Sequence, residues 1–330
     1  MDAKITKTRL ARMLSYDWLK IVGLALALIL IWNLLFTMTA TRVRPSQQFT
    51  VFNHYGNATL TDPFYDDINA CIQDGTFSYE VIESTTNDLT TAQEYAHTLA
   101  DARLQTDEAD VMFIPKLPDP SSAYQENGET KYASDYLQSF LYGYRFYIED
   151  LDPEKENGYL YDLKAYLNGY YTDGYENAES LDEDKIANDF RARAKKNGDK
   201  RFKTEEQLTN GAKKDVERIK KYRDALVKLE GFLADGTVQF EQVEVKQQDG
   251  SPLYSGKFAL NLCPDEEKTG NLKKYAFYGE TGVDEEGKET LRYTAKNMCM
   301  MFFKTKGTEE GFEYESLLYA VHIIEKSIAA

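Results

Sequence analysis

The chain has 330 residues, 13% of them aromatic, and sets 55 Asp and Glu against 39 Lys and Arg for a formal net charge of −16. An excess of negative charge on that scale argues against nucleic acid, or an anionic membrane surface, as the partner. Three cysteines permit one disulfide at most, which excludes a disulfide-stapled extracellular module.

The first element is an apolar run, Ile21–Met38, whose single strongly polar residue is Asn33. At about 1.5 Å per residue a helix of that length reaches across the hydrocarbon core of a bilayer. Lys4, Lys7, Arg9, Arg12 and Lys20 precede the run, and only Arg42 and Arg44 follow it closely. Because Lys and Arg accumulate on the cytoplasmic side, residues 1–20 are expected inside, 21–40 as an uncleaved signal anchor, and 45–330 outside. A cleaved signal peptide is the weaker reading, since Met38-Thr39-Ala40 puts a bulky residue where a small one is needed. Residues 1–44 hold seven Lys and Arg against two Asp and Glu, a net +5, which leaves −21 for the exported part.

Beyond the anchor, Gln48–Tyr55 reads as a strand, GNATLTDP as a turn-rich loop, and Phe64–Ile72 as a short helix. Ser78–Ser84 reads as a second strand, with Asn87 and Asp88 as cap-like residues before a helix over 91–106. Ala109–Ile114 is a continuous apolar run ending at Pro115, the pattern of a central strand covered on both faces. Strand, helix, strand, helix, strand in about 70 residues predicts an α/β fold with these three strands parallel in one sheet. Helices are expected over Ser134–Ile148, Tyr159–Tyr171, Leu181–Lys196 and Thr204–Leu233, then a hairpin of Val238–Val245 with Gly256–Leu262. Strands at Lys274–Tyr278, Leu291–Thr294 and Met298–Phe303 and a helix over Gly311–Ile328 close the chain.

Catalytic signatures are missing. There is no nucleophile elbow, phosphate-binding loop or zinc-protease helix, and His54, His97 and His322 are isolated in sequence. No enzyme activity, cofactor or metal is therefore expected, and the acidic turn Asp284–Glu286 has no calcium-ligand spacing. Ligands of open α/β sheets sit beyond the carboxyl ends of the strands. Here those ends offer Asn53, His54, Tyr55 and Asn57 after the first strand, and Asp119 and Tyr124 after the third. Aromatic faces with amide and carboxylate groups suit a sugar; the plainer alternative is that Tyr55 packs locally and the Asn residues shape a turn.

Eleven of the twenty-four tyrosines cluster between Tyr132 and Tyr175 at near-helical spacings, which points to helix packing before any interface. Between Lys185 and Lys228 stand fifteen Lys and Arg against seven Asp and Glu. That segment is either a face paired with the protein's own acids or a dock for an anionic partner.

The motifs TVFNHYG (Thr50–Gly56) and ADVMFIP (Ala109–Pro115), with the closing strand and helix of Ala295–Ile328, resemble bacterial extracellular solute-binding proteins. More narrowly the chain is similar to membrane-anchored solute-binding-like proteins of Gram-positive clostridia. The resemblance implies a periplasmic-binding-protein-like (type II) ectodomain with a parallel sheet and, given a helical middle, an incomplete second lobe. It further implies a carbohydrate ligand and the permease subunits of an ABC importer as partners. The alternative is a cell-surface scaffold that keeps the fold and binds no solute.

Overall fold

The computed structural model describes residues 7–39, 43, 47–54, 58–90, 95–106, 108–197, 199, 201–247, 250–283, 289–309, 311 and 313–328. The chain divides into two units, Met1–Val43 and Arg44–Ala330.

The first unit is one helix, α1 (Lys7–Thr39). Its stretch Trp18–Phe36 is long and apolar enough to cross a membrane, and none of it is buried.

The second unit is mixed α/β. It opens with β1 (Gln48–Asn53), β2 (Ala58–Leu60), α2 (Asp62–Gln73), β3 (Glu83–Asp88), α3 (Ala96–Gln105) and β4 (Val111–Pro115). A small hairpin, β5 (Ala123–Glu126) with β6 (Glu129–Tyr132), leads to α4 (Tyr136–Tyr144), α5 (Tyr159–Asn168), α6 (Glu183–Asn197) and α7 (Glu205–Ala234). Then come β7 (Gln239–Lys246), β8 (Pro252–Asn261), α8 (Glu266–Thr269), β9 (Ala276–Val283), β10 (Glu289–Thr294), β11 (Met298–Phe302), α9 (Lys306–Glu309) and α10 (Glu315–Ser327).

The main sheet has the order β3-β1-β4-β11-β8-β7. β1 lies between β3 and β4 and is parallel to both, as the strand–helix alternation predicts. The other half is antiparallel, β11 against β4 and β8, and β8 against β7, so the sheet is mixed where the resemblance implied a parallel one. β2, β9 and β10 make a second, antiparallel sheet.

Two apolar clusters cover the two faces of the main sheet. On one, Phe49, Val51, Val111, Phe113, Met300 and Phe302 meet α2, α5, α7 and α10. On the other, Phe52, Met112, Ile114, Cys299 and Met301 meet α3 and α4. Neighbouring residues of β1, β4 and β11 thus fall into opposite clusters, the period-two alternation of a strand buried on both sides. All three cysteines are buried and free.

Several elements depart from the sequence expectation. Ser78–Ile82 is not strand: Phe77 and Val81 are buried in the core, and the ladder starts only where the Ile82 amide donates to the Gln47 carbonyl, at 2.8 Å. The strand that follows, β3, is an edge, and its polar sequence ESTTND suits an edge better than a core. Asn87 and Asp88 are its last residues, paired with Phe52 and Asn53, and the helix after them is described only from Ala96. Part of the presumed loop GNATLTDP is strand β2, whose partner β9 lies more than 200 residues away in sequence. The hairpin β5–β6 was not among the expected elements, although its turn residues Asn127 and Gly128 are a strong hairpin pair; both have positive φ, the geometry a tight two-residue turn demands.

Candidate functional site

Crossovers run from β1 through α2 to β3 and from β3 through α3 to β4, on opposite faces of the sheet, so the chain parts at the carboxyl ends of β1 and β4. That is where doubly wound sheets leave a crevice. A cavity of about 710 Å³ lies beside the loop that follows β4, bordered by Asp119, Ser121, Ser139 and Tyr142 on one side and by Glu244 and Lys246 at the end of β7 on another.

Each sequence candidate has a place. Asn53 is fully buried; its Nδ2 donates to the Ala58 carbonyl at 3.0 Å and to Asp88 Oδ1 at 3.1 Å, tying the end of β1 to β2 and β3. It therefore joins the ends of three strands. His54 is buried as well, with its amide donating to the Phe113 carbonyl at 2.9 Å and its ring against Tyr136 and Phe140. Burial, which outweighs the attraction of Asp119 and adds to the repulsion of His97, lowers its pKa to about 3. The imidazole is neutral and lies beneath the cavity wall.

Asp119 does border the cavity. Its side chain caps the short 3-10 turn Pro120–Ser122 by accepting from the Ser121 amide at 2.8 Å. Burial opposes its ionisation, yet hydrogen bonds from the Ser139 hydroxyl and from Ser121 win, and the carboxyl sits below its ordinary range. Tyr124 sits on β5, exposed and away from the cavity lining. Tyr55 and Asn57 lie outside the described residues, as does the acidic turn Asp284–Glu286. Of six candidates, then, one borders the cavity, three lie off its lining and two are outside the described residues.

Most of the lining was missed. Ser134 and Ser139 share a hydroxyl hydrogen bond of 2.9 Å, and Gln138 Nε2 donates to the Glu244 carbonyl at 2.9 Å, joining α4 to the end of β7. The signal for them was available: Asp135 and Gln138 form a reciprocal capping box, readable as D-x-x-Q before an apolar run, and it fixes the helix start at the cavity mouth. Tyr142 is exposed and presents an aromatic surface, whereas Tyr144, Tyr159, Tyr171 and Tyr175 are buried as helix packing predicts. Lys116 turns away from the cavity to pair with Glu241 at 2.5 Å.

The basic segment is largely spent internally. Arg193 and Arg218 flank the buried Asp215 at 2.9 and 2.8 Å, and Arg201 bridges Glu80 and Asp199 at 2.6 and 2.8 Å. Lys220 pairs with Glu183 at 3.0 Å and Lys228 with Glu325 at 2.5 Å. A second cavity, about 670 Å³, is edged by Lys213, Lys214, Lys220 and Lys221 on α7.

Chemically, the first cavity offers hydroxyls, an amide, a carboxylate and an aromatic face. Such a set can bind a polar solute. Among the described residues, the one convergent group of three His, Cys, Asp or Glu side chains lies elsewhere, on α2 and α10. Compared with protein families, curated proteins and solved structures, the chain matches none.

Proposed function

We propose that the second unit is a noncatalytic binding module for a neutral, hydroxyl-rich solute of the carbohydrate class, held at a membrane by α1. The reading is supported chiefly by one observation, the polar cavity beside the loop that follows β4, with the ionised Asp119 on its wall. Asp119 accepts from sugar hydroxyls, Ser121 and Ser139 accept or donate, and the Tyr142 ring stacks on a sugar face. Five basic residues before the apolar stretch and two just after it favour a cytoplasmic N-terminus and an exported second unit. Anchoring then raises the local concentration of the binding module beside a permease, the role of an importer's binding component or accessory. On this reading the fold is a variant of the type II binding-protein plan.

A scaffold is the second reading, and the side chain of Phe146, 81% exposed, favours it. Melting the full chain in detergent micelles against neutral mono- and oligosaccharides separates the two. A ligand at a hundredfold excess over Kd stabilises by about 2.7 kcal/mol, roughly 5–10 °C for a unit of this size. Asp119→Asn and Tyr142→Ala should each abolish the rise. A panel without any rise, or a rise that survives both substitutions, refutes the assignment of the cavity.

A further inference from the structure

We propose that Asp67, Cys71 and His322 form a binding site for a zinc-type divalent cation that clasps α2 to α10. Asp67 and Cys71 are four residues apart and so share one face of α2, and His322 reaches them from α10. Their carboxylate oxygen, thiol sulfur and ring nitrogen all lie within 4.8 Å of one another. His322 Nε2 stands 2.8 Å from Asp67 Oδ2, and Cys71 Sγ donates to the same oxygen at 3.9 Å. Ligand atoms around one tetrahedral zinc, each about 2.0–2.3 Å from the metal, stand about 3.3–3.8 Å apart, so the His322–Asp67 pair opens and the sulfur draws in through side-chain rotations.

The chemistry of the set selects the ion. One sulfur, one nitrogen and one carboxylate suit zinc or cobalt, while magnesium and calcium ask for oxygen ligands. A second layer orients the histidine independently of the cluster. The Thr76 hydroxyl donates to Asp74 Oδ1 at 2.7 Å, which leaves its oxygen to accept from His322 Nδ1–H at 3.4 Å. The ring is thereby turned with Nε2 toward Asp67 and Cys71, the arrangement by which outer groups fix a metal-binding histidine. A cavity of about 270 Å³ bordered by Thr76 and His322 brings solvent to the ring.

Without metal the cluster is held by hydrogen bonds, with Lys326 Nζ at 3.5 Å from Asp67 Oδ1 supplying positive charge. Binding exchanges partners with a plain balance: the Cys71 S–H proton, with any proton that His322 Nε2 carries, goes to solvent. Metal–sulfur and metal–nitrogen bonds replace them, and the Lys326 ammonium swings out to water. Burial first, and the Asp67 charge after it, push the Cys71 thiol up to about 12, so the thiol keeps its proton until a cation arrives.

The test uses the untagged full chain in detergent micelles, stripped with a chelator and titrated with cobalt(II) chloride, then zinc sulfate. The expected result is thiolate-to-cobalt charge-transfer absorption that saturates at one cobalt per chain and disappears when zinc displaces it. Cys71→Ser should abolish the band although Cys263 and Cys299 remain, and His322→Gln should weaken binding at least tenfold. Lys326→Gln removes the competing cation without touching a ligand, and should tighten binding several-fold. No band in the unmodified chain, a band retained in Cys71→Ser, or an affinity unmoved by Lys326→Gln overturns the site.

Discussion

Replacing Asp215 by Ala tests whether the basic segment of residues 185–228 is neutralised from within. Asp215 is 2% exposed, and its Oδ1 accepts from Arg218 Nε at 2.8 Å, Arg193 Nη2 at 2.9 Å and the Tyr79 hydroxyl at 2.9 Å. Arg218 is 1% exposed, and its Nη2 also donates to the Tyr166 hydroxyl at 3.0 Å. Removing the carboxylate takes a charged partner from a buried guanidinium, and breaking a buried ion pair costs about 3–5 kcal/mol in comparable cases. Glu80, 3.9 Å from Arg193, softens the loss for that partner and puts the expectation near ~3 kcal/mol. In a unit of this size that is a fall of roughly 6–12 °C in melting temperature, read on the full chain in micelles. The exposed pair Arg223–Asp224 is the control: Asp224, 61% exposed, should cost at most ~0.5 kcal/mol when changed to Ala. The sign with pH follows. Burial opposes ionisation of Asp215, but Arg218 and Arg193 outweigh it and hold the carboxyl below its ordinary range. Its contribution is therefore complete above about pH 4 and is lost as pH falls through the lower folded value, so variant and parent converge in strong acid. A loss below ~1 kcal/mol at neutral pH would refute the internal pairing and return these arginines to the account as a docking surface.

Two glycines of α7 make a matched pair. A methyl group at Gly211 would meet the Phe190 ring at 2.4 Å and Phe202 at 2.7 Å, so Gly211→Ala should destabilise by about 1–3 kcal/mol; at Gly231 it meets nothing within 4 Å, and Gly231→Ala should stabilise by ~0.5–1 kcal/mol in the same melts. Two buried groups give opposite acid responses. His54, lowered from 6.5 to about 3 by burial, makes the folded state lose stability as pH falls below 6.5, and His54→Gln should remove that loss. Glu149, raised from 4.5 to about 7 by burial, makes stability fall as pH rises from 4.5 to about 7, by at most ~3 kcal/mol. Melting curves of Glu149→Gln against parent at pH 5 and 8 check it, and parallel responses would show that the carboxyl ionises freely.

The central strands were legible because their signal is dense: ADVMFI reads as a strand covered on both faces, and β4 is buried at all five positions. Helices α4 to α7 were legible from apolar spacing. Edge strand β3 was misplaced because its neighbours Phe77 and Val81 are the apolar residues, while the strand itself needs polar side chains toward water. Strand β2 is three residues long and exists only through β9, a pairing that no local pattern encodes. The cavity fared similarly. Asp119 was readable from its place after a strand, but Ser139, Tyr142 and Glu244 come to it from α4 and β7, and that meeting is tertiary. His54 is a residue whose neighbours decide its role: the same sequence position is a loop ligand if exposed and a neutral packing group when enclosed by Tyr136 and Phe140.

The two cavities differ in a way that ionic strength can read. The one beside the loop after β4 borders Asp119 and Glu244 against Lys246, within residues 45–330 of net charge −21, and so disfavours an anionic solute. The other is edged by four lysines of α7, with Glu183 and Glu217 beside them, and favours an anion. A neutral polyol gains no Coulomb energy from either set of charges, so its affinity should change less than about twofold between 0.05 and 0.5 M potassium chloride. An anion at the lysines loses affinity steeply over the same range, because exposed charges are screened beyond about 4 Å at the upper salt concentration. Isothermal titration of the full chain in micelles, with any sugar that raises the melting temperature, decides between them. A sugar affinity that collapses with salt would show that ionic contacts carry the binding and would refute a neutral solute held beside Asp119.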